Sequence, residues 1–539
     1  MQKYIGLTCL SIIFLSLSFP TNGYPFFIFL GFVPLLFLDD IIYNKYPSTH
    51  KRRLMPFVYL TFFMFNAISI WWLHNAKHPN GNFAWEAYFF AVAANAALMS
   101  VVFWLYSWTK KFNGEYIGSF FFIFAWISFE KLHLEWEFTF PWFNLGNIFA
   151  THHKLIQWYD ITGALGGTLW ILIINFIIYH GIKEYLKRKK TKYLYRAIFI
   201  LIPTIFFPIL SSFFIYNSYV EKGNKINVTI IQPDLDPYTQ KYTKTGNEIL
   251  EQLLELTKQN VTLKTDFVVY PETAFPGKEN ISINEINTNE HLLKIKQFLK
   301  KYPRLSVISG TQLIKFYGKY EEIPTSASNY NNEYYDFYNS AIQLNNQDSI
   351  KYYQKSKLVP GVEIFPYINY LKPLLGNLML NFGGAVISLG IQEERIPFTN
   401  KVNNAVIAPI ICYEAIYGEF ITDFIKNKAN VLFMLSNDSW WGDSDGYKEL
   451  FLFSRLRAIE NRRSIVRSAN SGISAIINQR GDVIEKLDYN KKGAIKGLVQ
   501  LNEQVTVYAN YGDYIARFAL LITGIFFTFT ATQKILQKK

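Results

Sequence analysis

Long apolar segments alternate with short polar ones up to about residue 216, and one more apolar segment lies close to the C-terminus. A helix needs about 20 apolar residues to cross the core of a bilayer, and most of these segments approach that length. The pattern therefore predicts a membrane α-helical bundle of about eight spans. The segments are 4–19, 24–38, 55–73, 87–108, 116–130, 165–181, 197–215 and 514–532.

The region between the last two apolar segments has a different pattern. Short apolar stretches such as "INVTIIQ" and "ANVLFML" alternate with amphipathic stretches such as "GNEILEQLLELTKQ". A period of two is typical of strands and a period near 3.6 is typical of helices. We therefore expect a transmembrane domain at 1–217, an extramembrane α/β domain at 218–510, and the last span with its tail at 511–539.

The distribution of lysine and arginine predicts the orientation of this bundle. With the N-terminus inside, the inner segments carry seventeen of these residues, whereas the outer loops between spans 3 and 4 and between spans 5 and 6 carry three. Cytoplasmic loops of membrane proteins are enriched in positive charge. Both termini are therefore expected in the cytoplasm, and the inserted α/β domain is expected outside.

Composition excludes several functional classes. The 539 residues carry a formal net charge of +13, which the seventeen inner cations already exceed, so there is little support for a nucleic-acid partner. The sequence has neither a glycine-rich phosphate loop nor a Cys/His cluster with metal-ligand spacing, so we expect no cofactor and no metal. Because Cys9 lies in the first span and Cys412 lies in the outer domain, we expect no disulfide between them.

Three predicted strands of the outer domain are followed directly by chemically reactive residues. Glu272 follows "DFVVY", Lys355 follows "YYQ", and Cys412 follows "NAVIAPII". The carboxyl ends of parallel strands gather at one edge of a sheet, which is where α/β folds place their ligand sites. We therefore expect the three side chains to lie close together.

These three residue types have complementary chemistry. A thiol is mostly protonated at neutral pH, so a nucleophilic cysteine needs a base, and a carboxylate can fill that role. A lysine ammonium can stabilise the negative oxygen that forms when a carbonyl group is attacked. Taken singly, each residue also has an ordinary explanation: a solvated carboxylate, a solvated lysine and a small buried thiol.

The motifs resemble those of bacterial apolipoprotein N-acyltransferases, which are membrane members of the nitrilase, or carbon-nitrogen hydrolase, superfamily. The resemblance covers nearly the whole chain and implies an extramembrane α/β nitrilase-like domain built as an α-β-β-α sandwich. The family commonly reads L-V-P-F-G-E, whereas this chain has its glycine one residue earlier. The motifs that carry the resemblance are "FPWFNLGN", "VVYPETAFP", "KSKLVPGVE", "ICYE", "LSNDSWWGD" and "YGDYIARF".

The resemblance also implies a role for each residue at the site. Glu272 matches the general base of the family, Lys355 its oxyanion-stabilising lysine, and Cys412 its nucleophile. Lys355 is preferred to Lys357 because the family's lysine stands three residues before L-V-P. The implied supporting residues of the active site are Glu363, Tyr413, Glu414 and Trp440.

The reaction implied by the resemblance is a two-step exchange through a thioester. The sn-1 acyl chain of a phospholipid, with phosphatidylethanolamine as the expected donor, passes to Cys412 and then to an apolipoprotein. The acceptor group is the α-amine of the N-terminal S-diacylglyceryl-cysteine, and the transfer is the last step of lipoprotein maturation. We expect a monomer in the inner membrane of a Gram-negative-type bacterium, with its catalytic domain on the periplasmic side.

Two other functions remain open from the sequence. The first is a membrane-tethered nitrilase-type amidase that uses the same three residues, with water as the second nucleophile. The second is a non-catalytic membrane receptor or scaffold, which is disfavoured because all three reactive positions are filled.

Segment 364–384 is apolar and aromatic, but it is interrupted by proline and glycine. It is too interrupted for a span and too apolar for a solvated loop. We expect it to be an arm over the active site that dips into the outer leaflet. The residues expected to face lipid are Phe365, Tyr367, Tyr370, Leu374 and Leu375.

Overall fold

The chain divides into two compact units, each made of separate parts of the sequence. In the computed structural model, the described residues are 1–78, 81–240, 243–277, 279–318, 320–346, 348–367, 370 and 388–536. The first unit comprises Met1–His74, Trp85–Ser218 and Tyr511–Lys539. The second comprises Asn75–Ala84 and Tyr219–Asn510.

The first unit is helical, and its helices coincide with the apolar segments of the sequence. Two of the helices contain proline in their interiors, at Pro56 and at Pro203 and Pro208. Proline is disfavoured inside helices of soluble proteins but is tolerated in membrane helices, where neighbouring groups satisfy the freed carbonyls. The helices before the second unit are α1 (Gln2–Leu17), α2 (Val33–Lys45), α3 (His50–Ser69), α4 (Trp85–Asn113), α5 (Glu115–His133), α6 (Tyr159–Arg188) and α7 (Lys192–Ser218).

Five helices among the described residues are long and apolar enough to cross a membrane. Helix α1 is shorter, with 16 residues, and α3 begins with three consecutive basic residues. The prediction of apolar helices is therefore confirmed, whereas the number of eight spans stays a prediction. The five helices are Pro25–Lys45, Trp85–Asn113, Tyr159–Arg188, Lys192–Ser218 and Tyr514–Leu536.

Aromatic side chains fill the interior of the first unit. The ring of Trp126 on α5 is 1% exposed and lies 4.8 Å from the ring of Phe32 and 5.5 Å from that of Phe122. Edge-to-face and tilted ring contacts of this kind add to the energy of burial. Helix α5 is thereby fixed in the middle of the bundle, between α4 and α6.

The second unit contains two β-sheets and the helices that cover them. Its strands are β1 (Asn224–Gln232), β2 (Phe267–Val269), β3 (Ile281–Ser282), β4 (Ser306–Tyr317), β5 (Ser328–Tyr330), β6 (Glu333–Leu344), β7 (Lys351–Gln354), β8 (Phe398–Asn400), β9 (Ala405–Ile411), β10 (Val431–Ser436), β11 (Ile465–Ala469), β12 (Ser474–Ile477), β13 (Val483–Leu487) and β14 (Gly493–Leu501). Among the described residues, the remaining α-helices are α8 (Gly246–Asn260), α9 (Glu290–Leu299), α10 (Gly418–Lys426), α11 (Asp445–Asn461), α12 (Val507–Tyr511) and α13 (Tyr514–Leu536).

Both sheets mix parallel and antiparallel strands. In the described part of the first sheet the order is β14-β1-β2-β4-β6-β5, with β3 beside β4 and β7 beside β6. Strands β1, β2 and β4 are parallel, and β7 runs in the same direction because two antiparallel pairings separate it from β4. The second sheet has the order β13-β12-β11-β10-β9-β8, with β9, β10 and β11 parallel.

The two sheets pack face to face. The ring of Phe267 on β2 lies 5.4 Å from the ring of Phe433 on β10. The hydroxyl of Ser468 on β11 donates to the carbonyl oxygens of Ile231 and Val269, at 3.1 and 3.3 Å. Side chains of successive residues in a strand point to opposite faces of the sheet. Each sheet therefore has a second face that helices can cover.

Helices cover the outer faces of both sheets. Ile249 and Leu253 on α8 and Leu292 on α9 join one apolar cluster with residues of β2 and β4. Helix α10 contacts β9, and α11 packs against α10. The second unit is therefore an α-β-β-α sandwich, which confirms the expected α/β class.

Candidate active site

Glu272 lies just beyond the carboxyl end of β2, and its side chain is buried. Its Oε1 accepts a hydrogen bond from Nδ2 of Asn339 at 2.7 Å, and its Oε2 accepts one from the backbone N–H of Asn437 at 2.9 Å. A Cβ atom at Gly310 on β4 would lie 2.5 Å from the Cα of Glu272. Glycine at 310 therefore allows the backbone of Glu272 to approach β4.

Lys355 follows β7 and is 1% exposed. Its Nζ donates to Oε1 of Glu363 at 2.8 Å and to Oε1 of Glu272 at 3.3 Å. Burial by itself lowers the pKa of Lys355, but the carboxylates of Glu363 and Glu272 outweigh it and hold the pKa above its ordinary value. Lys355 is therefore a fixed, permanently charged ammonium group.

Glu363 reaches Lys355 because the intervening loop turns tightly at Gly361. Gly361 has a φ of +80°, and its N–H donates to the carbonyl oxygen of Ile364 at 2.8 Å. The N–H of Val359 donates to Oε2 of Glu363 at 2.8 Å. The shifted glycine of "LVPGVE" thus occupies the left-handed position that the turn requires, and the carboxylate still points to Lys355.

Cys412 is the first residue after β9 and opens a single 3₁₀ turn, Cys412–Ile416. Its φ of +49° lies in the left-handed region, which costs free energy for a residue with a Cβ and is often found at functional sites. Both cysteines of the chain are free thiols, and Cys412 is partly exposed.

The surroundings of Cys412 keep its thiol protonated at neutral pH. Burial raises the pKa of Cys412, the charge of Glu272 raises it further, and the charge of Lys355 opposes both effects. The neutral thiol is a poor nucleophile. A reaction at this sulfur would therefore need a base that removes the proton.

Glu414 links the turn of Cys412 to the segment that carries Lys355. It is fully buried, its Oε2 accepts from the N–H of Ile411 at 2.7 Å, and its Oε1 accepts from the hydroxyl of Tyr353 and the N–H of Ser356, both at 2.7 Å. Burial raises the pKa of Glu414, and these donors oppose the rise. Glu414 is therefore a positioning residue.

Tyr413 and Trp440 lie on the turns that follow β9 and β10. The ring of Tyr413 packs edge-to-face against that of Tyr417, 5.5 Å away. Trp440 belongs to the 3₁₀ turn Asp438–Trp441, and its carbonyl oxygen accepts a hydrogen bond from the hydroxyl of Tyr238 at 3.0 Å. Both residues thus belong to the turns at the strand ends around the site.

The predicted strand ends come from two sheets and not from one. Glu272 and Lys355 follow β2 and β7 of the first sheet, whereas Cys412 follows β9 of the second. The expectation of one sheet edge was wrong because the two sheets pack face to face and both present strand ends to the same place. Glu414 joins the two edges, because it accepts hydrogen bonds from Ile411 at the end of β9 and from Ser356 beside Lys355.

Two asparagines of the site were missed at the sequence level. Nδ2 of Asn339 donates to Glu272 and also to Glu363, at 3.0 Å, while Asn437 holds the other oxygen of Glu272. Asn437 directly follows the apolar strand β10, so the same strand-end pattern could have found it. Asn339 lies inside β6, where its only signal was a polar residue in an apolar stretch.

The proposed lipid-facing arm is described only at its beginning. Phe365 and Tyr367 are partly buried, and Tyr370 is 75% exposed. Leu374 and Leu375 lie outside the described residues, as does most of segment 364–384. Contact of the arm with lipid stays a prediction.

Comparison with known families first defines the class of the second unit. Residues 227–507 match the profile described as "Carbon-nitrogen hydrolase", so this unit is a carbon-nitrogen hydrolase domain. Residues 11–177 match the profile described as "Apolipoprotein N-acyltransferase N-terminal domain". The chain belongs to the apolipoprotein N-acyltransferase family, which confirms the resemblance found in its motifs.

Two relatives in sequence agree with this assignment, and a solved structure shows a weaker likeness. A protein of Wigglesworthia glossinidia brevipalpis named apolipoprotein N-acyltransferase is 30% identical over 407 residues, covering 74% of this chain and 73% of the relative. One of the same name from Chlorobaculum tepidum is 25% identical over 555 residues, covering 99% and 98%. An amidase structure from Nesterenkonia sp. aligns with 56% of this chain and 98% of its own, at 11% identity and a TM-score of 0.36.

Proposed function

We propose that this chain is an acyltransferase that moves an acyl chain from a phospholipid to an apolipoprotein. The acceptor is the α-amine of an N-terminal S-diacylglyceryl-cysteine. Family membership supports the reaction class. The single observation that supports the chemistry best is the ammonium of Lys355, which is held between Glu272 and Glu363 and is electrostatically coupled to the thiol of Cys412.

In the first step, Glu272 takes the thiol proton while Sγ of Cys412 attacks the carbonyl carbon of the sn-1 ester. The negative charge that develops on the carbonyl oxygen is stabilised by the ammonium of Lys355. The intermediate then collapses to a thioester. The bond to the glycerol oxygen breaks, and this oxygen takes the proton from Glu272 as the lysophospholipid leaves.

In the second step, the α-amine of the acceptor attacks the carbonyl carbon of the thioester. Glu272 takes a proton from the attacking nitrogen, and the tetrahedral intermediate again places its negative oxygen near Lys355. Collapse forms the amide and expels the sulfur, which regains its proton from Glu272. The resting thiol is restored, as a ping-pong mechanism requires.

The placement in the membrane is part of the proposal. We propose a transmembrane domain at 1–217 with seven spans, a catalytic domain at 218–510 in the periplasm, and an eighth span with a cytoplasmic tail at 511–539. The coincidence of all eight apolar segments with helices supports the spans, and the basic inner segments support both termini inside. One chain supplies every residue of the site, so a monomer suffices.

The preferred donor is phosphatidylethanolamine, as the family resemblance implies. The chief alternative is an amidase that passes the acyl group of a soluble amide to water. A non-catalytic receptor would not need the ordered contacts among Lys355, Glu272, Glu363 and Asn339. The identity of the second nucleophile therefore separates the candidate functions.

The experiment that tests the function combines the purified protein with sn-1-labelled phosphatidylethanolamine and a synthetic S-diacylglyceryl-cysteine peptide in neutral detergent. We expect the label on the α-amine of the peptide, with no transfer by Cys412→Ala. An otherwise identical peptide with an acetylated α-amine is the matched control. Release of the label only as free fatty acid, or hydrolysis of a soluble amide at a higher rate, would favour the amidase.

A further inference from the structure

A cavity of about 490 Å³ opens within the second unit beside the loop that follows β10. Its aromatic walls are Phe83, Tyr238, Trp440, Trp441 and Tyr489. Among the described residues, Glu272, Lys355 and Cys412 do not line it. The cavity is therefore separate from the reacting groups, and we call it the side pocket.

The side pocket is joined to the general base by a short chain of hydrogen bonds. Ser439, which lines the pocket, and Asn437 both accept from Nδ2 of Asn470, at 3.3 and 3.1 Å. The backbone N–H of Asn437 in turn donates to Oε2 of Glu272 at 2.9 Å. Ser439 at the pocket and Asn437 at Glu272 belong to the same loop. A group bound in the pocket therefore contacts the loop that holds Glu272.

The walls of the pocket suit a positively charged group. Asp234 and Asp236 line it together with the five aromatic rings, and aromatic faces and carboxylates both attract an ammonium. Burial raises the pKa of the Tyr489 hydroxyl, and the charges of Asp443, Asp234 and Asp236 raise it further. The two carboxylates outnumber the single ammonium among the described lining residues, that of Lys77, so the wall carries a net negative charge.

The chain itself places one ammonium against these rings. Nζ of Lys77 lies 5.5 Å from the ring centroid of Phe83 and 5.8 Å from that of Tyr238. The backbone N–H of Lys77 also donates to the hydroxyl of Tyr238 at 3.1 Å, which fixes this segment at the pocket. A primary ammonium is thus compatible with the geometry of the wall.

We propose that the side pocket holds the polypeptide of the acceptor directly after its N-terminal cysteine, and that it favours basic side chains there. This inference rests on the proposed function, because it assigns a place to one of its two substrates. Acyl chains do not suit a wall that carries two carboxylates. A phospholipid headgroup brings a phosphate, which the same carboxylates repel, whereas a lysine-bearing peptide brings only the complementary charge.

The pocket also offers hydrogen-bonding groups suited to a peptide. The side-chain amides of Asn75, Gln240 and Asn490 line it along with the hydroxyl groups of Ser439 and Ser471. Peptide N–H and C=O groups need such partners when they leave water. The combination of amides, aromatic rings and carboxylates therefore fits a short polar segment of polypeptide.

The test uses the full-length protein, a saturating phospholipid donor and three S-diacylglyceryl-cysteine peptides that carry lysines, alanines or glutamates after the cysteine. We expect kcat/KM to be about tenfold higher for the lysine peptide than for the glutamate peptide, as for a charge partly shielded from water. The difference should shrink at high salt. Equal rates for the three peptides would overturn the proposal.

The variant Asp234→Asn/Asp236→Asn removes both charges with little change in shape. Asp234 has a φ of +55°, which asparagine tolerates, and an asparagine at 236 keeps an oxygen for the N–H groups of Tyr238 and Thr239. We expect the ratio of kcat/KM between the lysine and glutamate peptides to fall to within about twofold, because the electrostatic part of recognition is lost. Most of this change should come from a lower kcat/KM for the lysine peptide. Glu255→Gln on the exposed face of α8 is the matched control and should leave the preference unchanged.

Donor lipids with ethanolamine or glycerol headgroups identify the other possible occupant. If the double variant changes the headgroup preference of thioester formation and leaves the peptide preference intact, the pocket binds the donor and the proposal is wrong. Acylation of the alanine peptide by the unaltered protein is also measured, because it distinguishes this result from failure of the proposed function. Absence of acylation of that peptide by the unaltered protein would contradict the function itself, and with it the basis of this inference.

Discussion

In the proposed mechanism, Glu272 is the base and is held in place, and Cys412 is the nucleophile and rests as a neutral thiol. Both carboxylate oxygens of Glu272 accept hydrogen bonds, from Asn339 and from Asn437, which fixes the orientation of the group. The thiol of Cys412 has a raised pKa because of burial and the nearby charge of Glu272. In the proposed mechanism, proton transfer from Cys412 to Glu272 starts each reaction cycle.

Replacement of Glu272 by glutamine tests its role as base at the scale of one residue. Glu272→Gln should slow thioester formation by about 10²–10⁴-fold, the usual contribution of a positioned general base. The rate is measured by rapid quenching with labelled phospholipid, and circular dichroism checks that the variant is folded. Glu255→Gln, which changes the same charge on an exposed helix, is the control; a Glu272→Gln rate close to that control would exclude Glu272 as the base.

The raised pKa of Cys412 predicts how alkylation depends on pH. Iodoacetamide reacts with the thiolate, so its rate at Cys412 should keep rising by about tenfold per pH unit past the ordinary thiol pKa of about 8.5. Mass spectrometry of the Cys412 peptide measures the rate, and a cysteine introduced as Glu255→Cys on the exposed face of α8 provides the reference. A plateau at neutral pH would indicate a stable thiolate and contradict the neutral thiol.

At the scale of elements, the site depends on close contact between strand β4 and the segment after β2. A Cβ at Gly310 would lie 2.5 Å from the Cα of Glu272 and from backbone atoms of Pro271 and Thr273. Backbone atoms have little freedom to move away at this position. The contact therefore couples the packing of the sheet to the position of the general base.

The substitution Gly310→Ala tests this coupling. It should lower the free energy of unfolding by about 1–3 kcal/mol, as overpacking does, and should also slow thioester formation. Gly318→Ala, just beyond the end of β4, has nothing within 4 Å of the added Cβ and is the matched control. Thermal unfolding in detergent and the acylation rate measure the two effects; equal results for both variants would contradict the coupling.

The proposed catalytic residues were predictable from sequence because each stands within three residues of the end of a strand. Glu272, Lys355 and Cys412 all show this local signal, and the family motifs then gave each one a role. Asn339 was not predicted because it lies within β6, and only the pairing of β6 with β7 and the fold of the Glu363 loop bring it to Lys355. That pairing and that loop are tertiary features with no local pattern in the sequence.

The arrangement of the sheets was predicted less completely. Period-two and all-apolar stretches indicated strands, and α8 was expected almost at its observed bounds because its apolar positions repeat with the helical period. The division of the strands into two sheets depends on contacts such as Phe267 with Phe433, which are distant in sequence. Hydrophobic periodicity shows that a face is buried and does not show which element covers it.

At the scale of the whole molecule, the reaction needs the catalytic domain on the side of the membrane where the acceptors are. The basic residues of the inner segments support the proposed periplasmic placement, because cytoplasmic loops of membrane proteins are enriched in positive charge. The buried ion pairs of Lys110 with Asp39 and Asp40 lie at the predicted cytoplasmic ends of α4 and α2. Charged groups in a bundle of apolar helices need such partners.

Labelling of single cysteines tests the orientation. In a background with Cys9 and Cys412 replaced by serine, we expect Glu255→Cys to react with a membrane-impermeant maleimide in cells whose outer membrane has been permeabilised. Lys190→Cys, in the loop between α6 and α7, should react only after lysis. The reverse pattern would place the catalytic domain in the cytoplasm.

The covalent intermediate on Cys412 is the central claim of the mechanism, and intact-mass spectrometry tests it most directly. The purified full-length protein is incubated with sn-1-labelled phosphatidylethanolamine without acceptor and then quenched in acid. A mass increase of one labelled acyl chain on Cys412 is expected, removable by hydroxylamine and absent from Cys412→Ala. Transfer of the label to an acceptor peptide by Cys412→Ala, or turnover with no adduct on the unaltered protein, would contradict the mechanism.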